Sequence, residues 1–336
     1  MVLKQRHRYA KKKEKKDMYR IGIDLGGTNI AAGLVNEKFE IIAKDSTPTL
    51  TGRPGEEIVK DIARMCESVC AIAGIAPEEV TSVGIASPGI VDDNEGTVIY
   101  ANNLNFRHFP IIPLLRELLP IKEYHIENDA NAAAWGEAIA GAGKGSASSV
   151  MITLGTGVGG GIISDGKVFK GFNSAAGELG HIVIEVGGRH CSCGRDGCWE
   201  AYSSATGLIR MTKEKLEECA AQGRETKMIE LVEAKGKVTG RTAFDGERLG
   251  DEAAAEVVAQ YVKYLASGIA SMINIFQPEV LSIGGGISNE GDYLLNKLIP
   301  LVREQQYGIG LVPLTDIRIA TLKNDAGIIG AAVLGM

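Results

Sequence analysis

What the sequence lacks narrows it first. No apolar stretch reaches the ~18 to 20 residues that a membrane helix needs, so a helical membrane span is excluded. Low hydrophobicity combined with high net charge is the signature of disorder. It is absent: 45% of the 336 residues are hydrophobic, 23% are charged and the formal net charge is −6. The 43 glycines follow no three-residue period, which excludes collagen. No apolar segment follows the basic residues near the start, so this stretch is not expected to be a secretory signal. A cytoplasmic, reducing compartment is therefore expected. There, six cysteines point to core packing or metal ligation before disulfides. The length fits one large domain or two ordinary ones, and glycine at about twice its usual share needs a reason.

Charge is uneven. Residues 1–17 carry eight Lys or Arg against two acids, so the remainder is strongly acidic. The basic stretch is read as a disordered extension, and Met18, just before the strand-like Tyr19-Arg20-Ile21-Gly22-Ile23, as a candidate start. The acidic body argues against nucleic acid as the main partner.

Along the chain, strand-like runs end repeatedly in glycine turns. Tyr19 to Ile23 leads into Asp24-Leu25-Gly26-Gly27-Thr28-Asn29, and Ile30 to Val35 resumes as strand. A helix is expected over 56–73, a strand at Val83 to Ala86, a Pro-bounded helix near 110–119, and a short strand into Glu127-Asn128-Asp129. Ala130 to Ala142 reads as helix. Val150 to Leu154 is a strand entering Gly155-Thr156-Gly157-Val158-Gly159-Gly160-Gly161, with a hairpin turn at Asp165-Gly166. A long helix spans Asp251 to Phe276, a strand Val280 to Ile283 runs into Gly284-Gly285-Gly286, and an apolar helix follows Asn324-Asp325-Ala326-Gly327. The likeness of Ile23-Asp24-Leu25-Gly26-Gly27-Thr28 to Ile152-Thr153-Leu154-Gly155-Thr156-Gly157 suggests two related α/β halves sharing a cleft.

Two literal motif matches are decoys. Gly155-x-Gly157-x-x-Gly160 fits the dinucleotide fingerprint, but that motif needs a helix after the loop and a strand follows here. Gly161-x-x-x-x-Gly166-Lys167 approaches a P-loop, but Val168 stands where Ser or Thr must hold magnesium. Each glycine turn taken alone is an ordinary tight turn. Three of them closing strands, with Asp24 and Thr28 beside the first, suit a nucleotide held between two lobes, its phosphates met by backbone N–H groups. Asp24 is then placed to hold magnesium directly or through water.

Cys66 and Cys70 recur at helical spacing with Ile58, Ile62, Met65 and Val69 and read as core. Cys219 carries no signal. Cys191-x-Cys193-Gly194-x-x-Gly197-Cys198 with His181 offers three thiolates and one imidazole, a closed tetrahedral zinc set. His190 competes as the nitrogen ligand, though its place next to Cys191 makes joint ligation awkward. A closed site activates no water, so zinc there clamps a loop that also carries Glu200. Glu178 and His181 share one face of a helical turn. If one His181 ring nitrogen goes to zinc, the other, with Glu178 and Glu200, can meet the hydroxyls of a sugar.

Asp129, between a strand and a helix, is read locally as an N-cap. The helix N-terminus also favours its ionised form. Facing a cleft, such a carboxylate can take the proton of an attacking hydroxyl in phosphoryl transfer.

Asp24-Leu25-Gly26-Gly27-Thr28-Asn29, Glu127-Asn128-Asp129, Leu154-Gly155-Thr156-Gly157-Val158-Gly159-Gly160-Gly161, Glu178-x-Gly180-His181 and the cysteine loop through Glu200 together resemble the ROK family (repressors, open reading frames, sugar kinases). The likeness is to its kinase branch, nearest the bacterial ATP-dependent glucokinases, and runs from Met18 to the end. It implies an α/β actin-like/hexokinase-like (ribonuclease H-like) fold. Residues 18–127 plus 322–336 would form a small lobe, and 128–321 a large lobe carrying the zinc loop 181–200. It implies that Asp129 is the base for a sugar 6-hydroxyl, and that Asn103 (near Phe106), Asn128, Asp129, Glu178, His181 and Glu200 bind the sugar. It also implies that Asp24, Gly26, Gly27, Thr28, Asn29, Thr153, Gly155, Thr156, Gly157, Gly284, Gly285 and Gly286 bind ATP with Mg2+, and that His181, Cys191, Cys193 and Cys198 bind structural Zn2+. The partners expected are a small sugar and a second copy of the chain, as homodimer or tetramer, with no nucleic acid and no membrane. The basic extension departs from the family core. Glucose is the expected substrate, with N-acetylglucosamine, N-acetylmannosamine, mannose or fructose as alternatives. A sugar-responsive repressor is disfavoured by the 23 residues ahead of Asp24, and a non-catalytic sugar-binding protein by the intact Asp129 and glycine turns.

Overall fold

The computed structural model describes residues 18–336, so the basic extension expected over 1–17 lies outside the described residues. Strands β1 (Tyr19–Leu25), β2 (Asn29–Val35) and β3 (Ile41–Pro48) form an antiparallel meander. Helix α1 (Gly55–Ala73) returns the chain to β4 (Val80–Ser87), parallel to β1. Three short strands, β5 (Ile90–Asp92), β6 (Thr97–Ala101) and β7 (Phe106–Phe109), make a separate antiparallel sheet. Helix α2 (Ile111–Arg116) precedes β8 (Glu123–Asn128), which completes the first sheet in the order β3-β2-β1-β4-β8.

Helix α3 (Asp129–Ala140) leads into the second half. There β9 (Ser149–Leu154), β10 (Val158–Ser164) and β11 (Lys167–Val168) repeat the meander. The expected two-residue turn at Asp165-Gly166 joins the last two, with both residues at positive φ. The cysteine loop follows, then α4 (Glu200–Ser203), α5 (Ala205–Gln222), α6 (Met228–Lys235), α7 (Thr242–Arg248) and the long α8 (Glu252–Phe276). After β12 (Val280–Gly284) come α9 (Asp292–Glu304), β13 (Asp316–Ile319) and α10 (Ala326–Ala332). The second sheet runs β11-β10-β9-β12-β13, with β9, β12 and β13 parallel. Its order and strand directions reproduce those of the first, which is the duplication read from the two Leu-Gly turns.

Each half has its own apolar core, one from Ile21 to Ile126 and one from Val150 to Ile317. Cys66 and Cys70 are buried in the first and Cys219 in the second. Between the halves α3 crosses α10, with a small cluster of Ala134, Trp135, Met151 and Val333. The backbones are so close there that a Cβ on Gly330 would sit 1.7 Å from the carbonyl oxygen of Ala132, so only glycine fits. Glu137 of α3 accepts the N–H groups of Ala142, Thr321 and Leu322, tying the same helix to the segment that enters α10. Among the described residues no helix is long and apolar enough to cross a membrane.

One local reading is corrected. The N-cap of α3 is Asn128, whose side-chain oxygen accepts from the N–H groups of Ala130 and Asn131, and Asp129 is the first residue inside the helix. The cap therefore falls one residue earlier than the Asp-first reading placed it.

Candidate active site

Chain reversal at the strand ends supplies the site. Asp24 closes β1, Thr153 lies near the end of β9, and Gly284–Gly286 follow the body of β12. Together with Asp129 they line a cavity of about 540 Å3 between the halves. Ser288, Asn289, Lys323, Asn324 and Gly327 are among the other residues of its wall. Lys323 is the cationic side chain among these residues, and its backbone takes the left-handed conformation at φ 52°. A lone Lys-Asn pair gives no periodicity to notice, and only the Asn-Asp-Ala-Gly run beside it carried a signal.

Not every residue expected at the nucleotide faces this cavity. Gly26 and Asn29 close the first turn through a 2.9 Å backbone hydrogen bond, while Thr49 donates its hydroxyl to the Gly26 carbonyl and its N–H to that of Thr28. Asn103, on the helical turn before β7, packs against Gly27. Phe106, just beyond it, stacks on Phe109 at 4.3 Å between ring centroids. Gly155 donates its N–H to the Gly157 carbonyl and accepts from Ala205. Thr156 and Gly157 line a second cavity of about 360 Å3, with Cys191, Glu200 and Arg210. The turn thus stands with its tip toward the cysteine loop rather than toward Gly284–Gly286.

Asp129 is reached by water at the cleft, yet protein encloses it on most sides. Burial, with the charges of Asp24 and Glu178, pushes its carboxyl up to about 6, against a 2.8 Å hydrogen bond from the Ala130 N–H. Burial also raises the Asp24 carboxyl, with Lys44 pulling the other way. Lys44 itself pairs with Asp325. The Asn128 side chain is largely committed, since its amide donates to the Gly89 carbonyl at 2.9 Å while its oxygen caps α3.

His181 ends a short helical turn whose first N–H-accepting carbonyl is that of Glu178. One nitrogen of His181 and the sulfurs of Cys191, Cys193 and Cys198 all lie within 4.8 Å of one another. His181 Nδ1 is 3.7 Å from Cys191 Sγ, and Cys193 Sγ is 3.6 Å from Cys198 Sγ. Tetrahedral zinc with Zn–S near 2.3 Å would set such edges at about 3.5 to 3.8 Å. Burial and the neighbouring thiols push Cys198 up to about 12. Three sulfurs and one imidazole nitrogen gathered at these distances are a donor set that fits zinc. His190 instead turns out to Asp196, 2.9 Å away, and stays outside the cluster.

Trp199, which the sequence did not single out, anchors this loop. It is fully buried, its ring lies where a side chain on Gly268 of α8 would be, and its indole N–H donates to the Tyr264 carbonyl at 3.1 Å. Next to it Glu200 opens α4. Its Oε2 accepts the Val158 N–H at 3.0 Å, and its Oε1 lies 3.6 Å from Cys191 Sγ.

This arrangement has relatives. The sequence profile of the ROK family matches residues 20–336. The chain is 36% identical over 325 residues to a glucokinase of Halalkalibacterium halodurans, covering 95% of each chain. It is 32% identical to an N-acetylmannosamine kinase of Escherichia coli, covering 94% of this chain and 98% of that one. The crystal structure of a ROK family glucokinase from Streptomyces griseus, in complex with glucose and AMPPNP, superposes with a TM-score of 0.75 at 34% identity, over 94% of this chain and 98% of that one. The two-lobed actin-like fold implied by the motifs is the fold found. With the profile spanning nearly its whole length, the chain belongs to the ROK family.

Proposed function

We propose that the protein is an ATP-dependent hexose kinase that phosphorylates the 6-hydroxyl of glucose. The observation that carries this reading is Asp129: a carboxylate raised to about 6 opens on the cavity that Asp24, Thr153 and Gly284–Gly286 line. Kinship with the two enzymes named above and with the glucose and AMPPNP complex supports both the reaction class and the substrate.

In this reading the sugar lies between Asp129, Glu178, His181 and Glu200, with Asn103 closing the side near the first turn. His181 turns Nδ1 to the thiols, which leaves Nε2 for a sugar hydroxyl. Glu178 and Glu200 accept from hydroxyls, and orienting the sugar is what fixes O6 for in-line attack. As O6 attacks, its bond to the γ-phosphorus forms, the bond from that phosphorus to the bridging oxygen breaks, and ADP leaves. The transition state is loose, so the proton passes late to Asp129, which before that orients the nucleophile. Lys323 and the N–H groups at 284–286 face the phosphate charge.

Asp24 would hold Mg2+, which supplies neutralisation of the phosphate oxygens; a half-buried carboxylate with a raised pKa suits a hard cation. His181, Cys191, Cys193 and Cys198 would hold Zn2+ as a clamp. The kinship with an N-acetylmannosamine kinase keeps N-acetylhexosamines as a second reading for the sugar.

The test is coupled ADP release with Mg-ATP over a panel of hexoses and N-acetylhexosamines. Glucose is expected to give the highest kcat/KM. Turnover with no sugar above background would remove the kinase reading, and preference for an N-acetylhexosamine would replace glucose.

A further inference from the structure

Glu127 is only 2% exposed at the end of β8, directly ahead of the cap and the base. Its Oε1 accepts the Asn128 backbone N–H at 2.9 Å and the Asn131 side-chain amide at 3.2 Å. Its Oε2 meets Lys170 Nζ at 2.8 Å, and the same ammonium lies 2.7 Å from Asp93 Oδ2. Lys170 follows β11 in the second half, whereas Asp93 sits in the turn between β5 and β6 of the first. The backbone carbonyl of Lys170 accepts the Ala176 N–H at 3.1 Å, closing the loop that leads to Glu178. Gly177 of that loop packs opposite the side-chain oxygen of Asn131, which is buried and has no hydrogen-bond partner.

A buried carboxylate is costly unless a cation and hydrogen bonds satisfy it. Burial works against the charge on Lys170, but the carboxylates of Asp93 and Glu127 outweigh it and hold the lysine above its ordinary pKa. Such a pair is weak as a stabiliser, since apolar replacements often do as well. Its geometric consequence is specific: one ammonium joins the two halves beside the strand-to-helix junction.

We propose that Lys170 is a positioning residue of the phosphoryl transfer. Through Glu127 it holds the junction bearing Asn128 and Asp129, and through Asp93 and its own loop it registers Glu178 against that junction. This rests on the kinase reading.

The test compares wild type, Lys170→Met, Lys170→Arg, Glu127→Gln and the double variant Lys170→Met with Glu127→Gln in steady-state kinetics and melting. Lys170→Met is expected to lower kcat at least ~10-fold, the scale on which slight misplacement of reacting groups acts. Its KM for ATP should stay within ~3-fold. Lys170→Arg should keep kcat within ~3-fold, because the charge can still span both carboxylates. Glu127→Gln removes the unpaired charge, so the double variant should recover most of the kcat lost in Lys170→Met, a coupling that independent structural losses do not give. Should Lys170→Met not fold, Glu127→Gln alone is expected to lower kcat ~3-fold or more with KM for ATP unchanged. Three outcomes overturn the proposal: kcat of Lys170→Met within ~2-fold of wild type, a double variant worse than Lys170→Met, or an unaltered kcat in Glu127→Gln. A wild type inactive on every sugar would defeat the kinase reading instead.

Discussion

Asp129 combines two demands that pull against each other. As the proposed base it must be ionised to take a proton, and it sits where burial, Asp24 and Glu178 oppose ionisation. The Ala130 N–H, at 2.8 Å, favours the charge without overcoming that opposition. Replacing it by Asn keeps shape and sugar contacts but removes the acceptor, so Asp129→Asn should lose at least ~100-fold in kcat, with glucose binding by calorimetry nearly unchanged. A near-normal rate would end the assignment. The base form is the charged one, and its pKa is raised, so kcat should fall as pH drops through about 6. A kcat–pH profile level down to the ordinary aspartate range would contradict the enclosed-base picture. At this scale the sequence was legible where residues lie close along the chain: the donor atoms of His181, Cys191, Cys193 and Cys198 do converge. Lys170 and Lys323 were not, because what they meet comes from distant segments. Asn128 was misread by one residue, since either Asn or Asp can cap and only backbone geometry decides.

The elements around the site are held by contacts of unlike kinds. The cysteine loop has little regular structure, and Trp199 against α8 together with the His–Cys cluster fixes it. Cys198→Ser, or chelation of the zinc proposed for this cluster, should therefore lower Tm and raise KM for sugar more than KM for ATP, because Glu200 and His181 travel with the loop. Equal rises in both KM values, or no change in Tm, would count against a clamp. At the α3–α10 crossing no loop intervenes, and Gly330→Ala must push a methyl against the Ala132 carbonyl. That variant should melt several degrees lower, and an unchanged Tm would show the crossing to be looser. Long periodic helices such as α8 were readable from sequence. The edge strand β3 and the short strands β5 to β7 were not, because they carry few buried apolar residues and pair only with their neighbours in sequence, outside the buried middle of either main sheet.

At the scale of the molecule, a repeated sheet brings two strand ends to opposite sides of one cleft, and α3 and α10 join the halves at its base. Glycine abundance follows from this plan: turns at strand ends, a crossing too tight for side chains, and a loop bent round the His–Cys cluster. The duplicated Leu-Gly turns made the two halves legible, whereas the direction each turn faces had to come from the three-dimensional packing. The second turn opens partly on a different cavity, which the likeness alone did not foretell. Product identity tests the whole account most directly. Wild-type protein is incubated with glucose and Mg-ATP, and the products are read by phosphorus and carbon NMR, with 6-deoxyglucose as the control. The account predicts ADP and glucose 6-phosphate in equal amounts and no reaction of 6-deoxyglucose. Phosphate on another hydroxyl, turnover of 6-deoxyglucose, or ADP without sugar phosphate would contradict it.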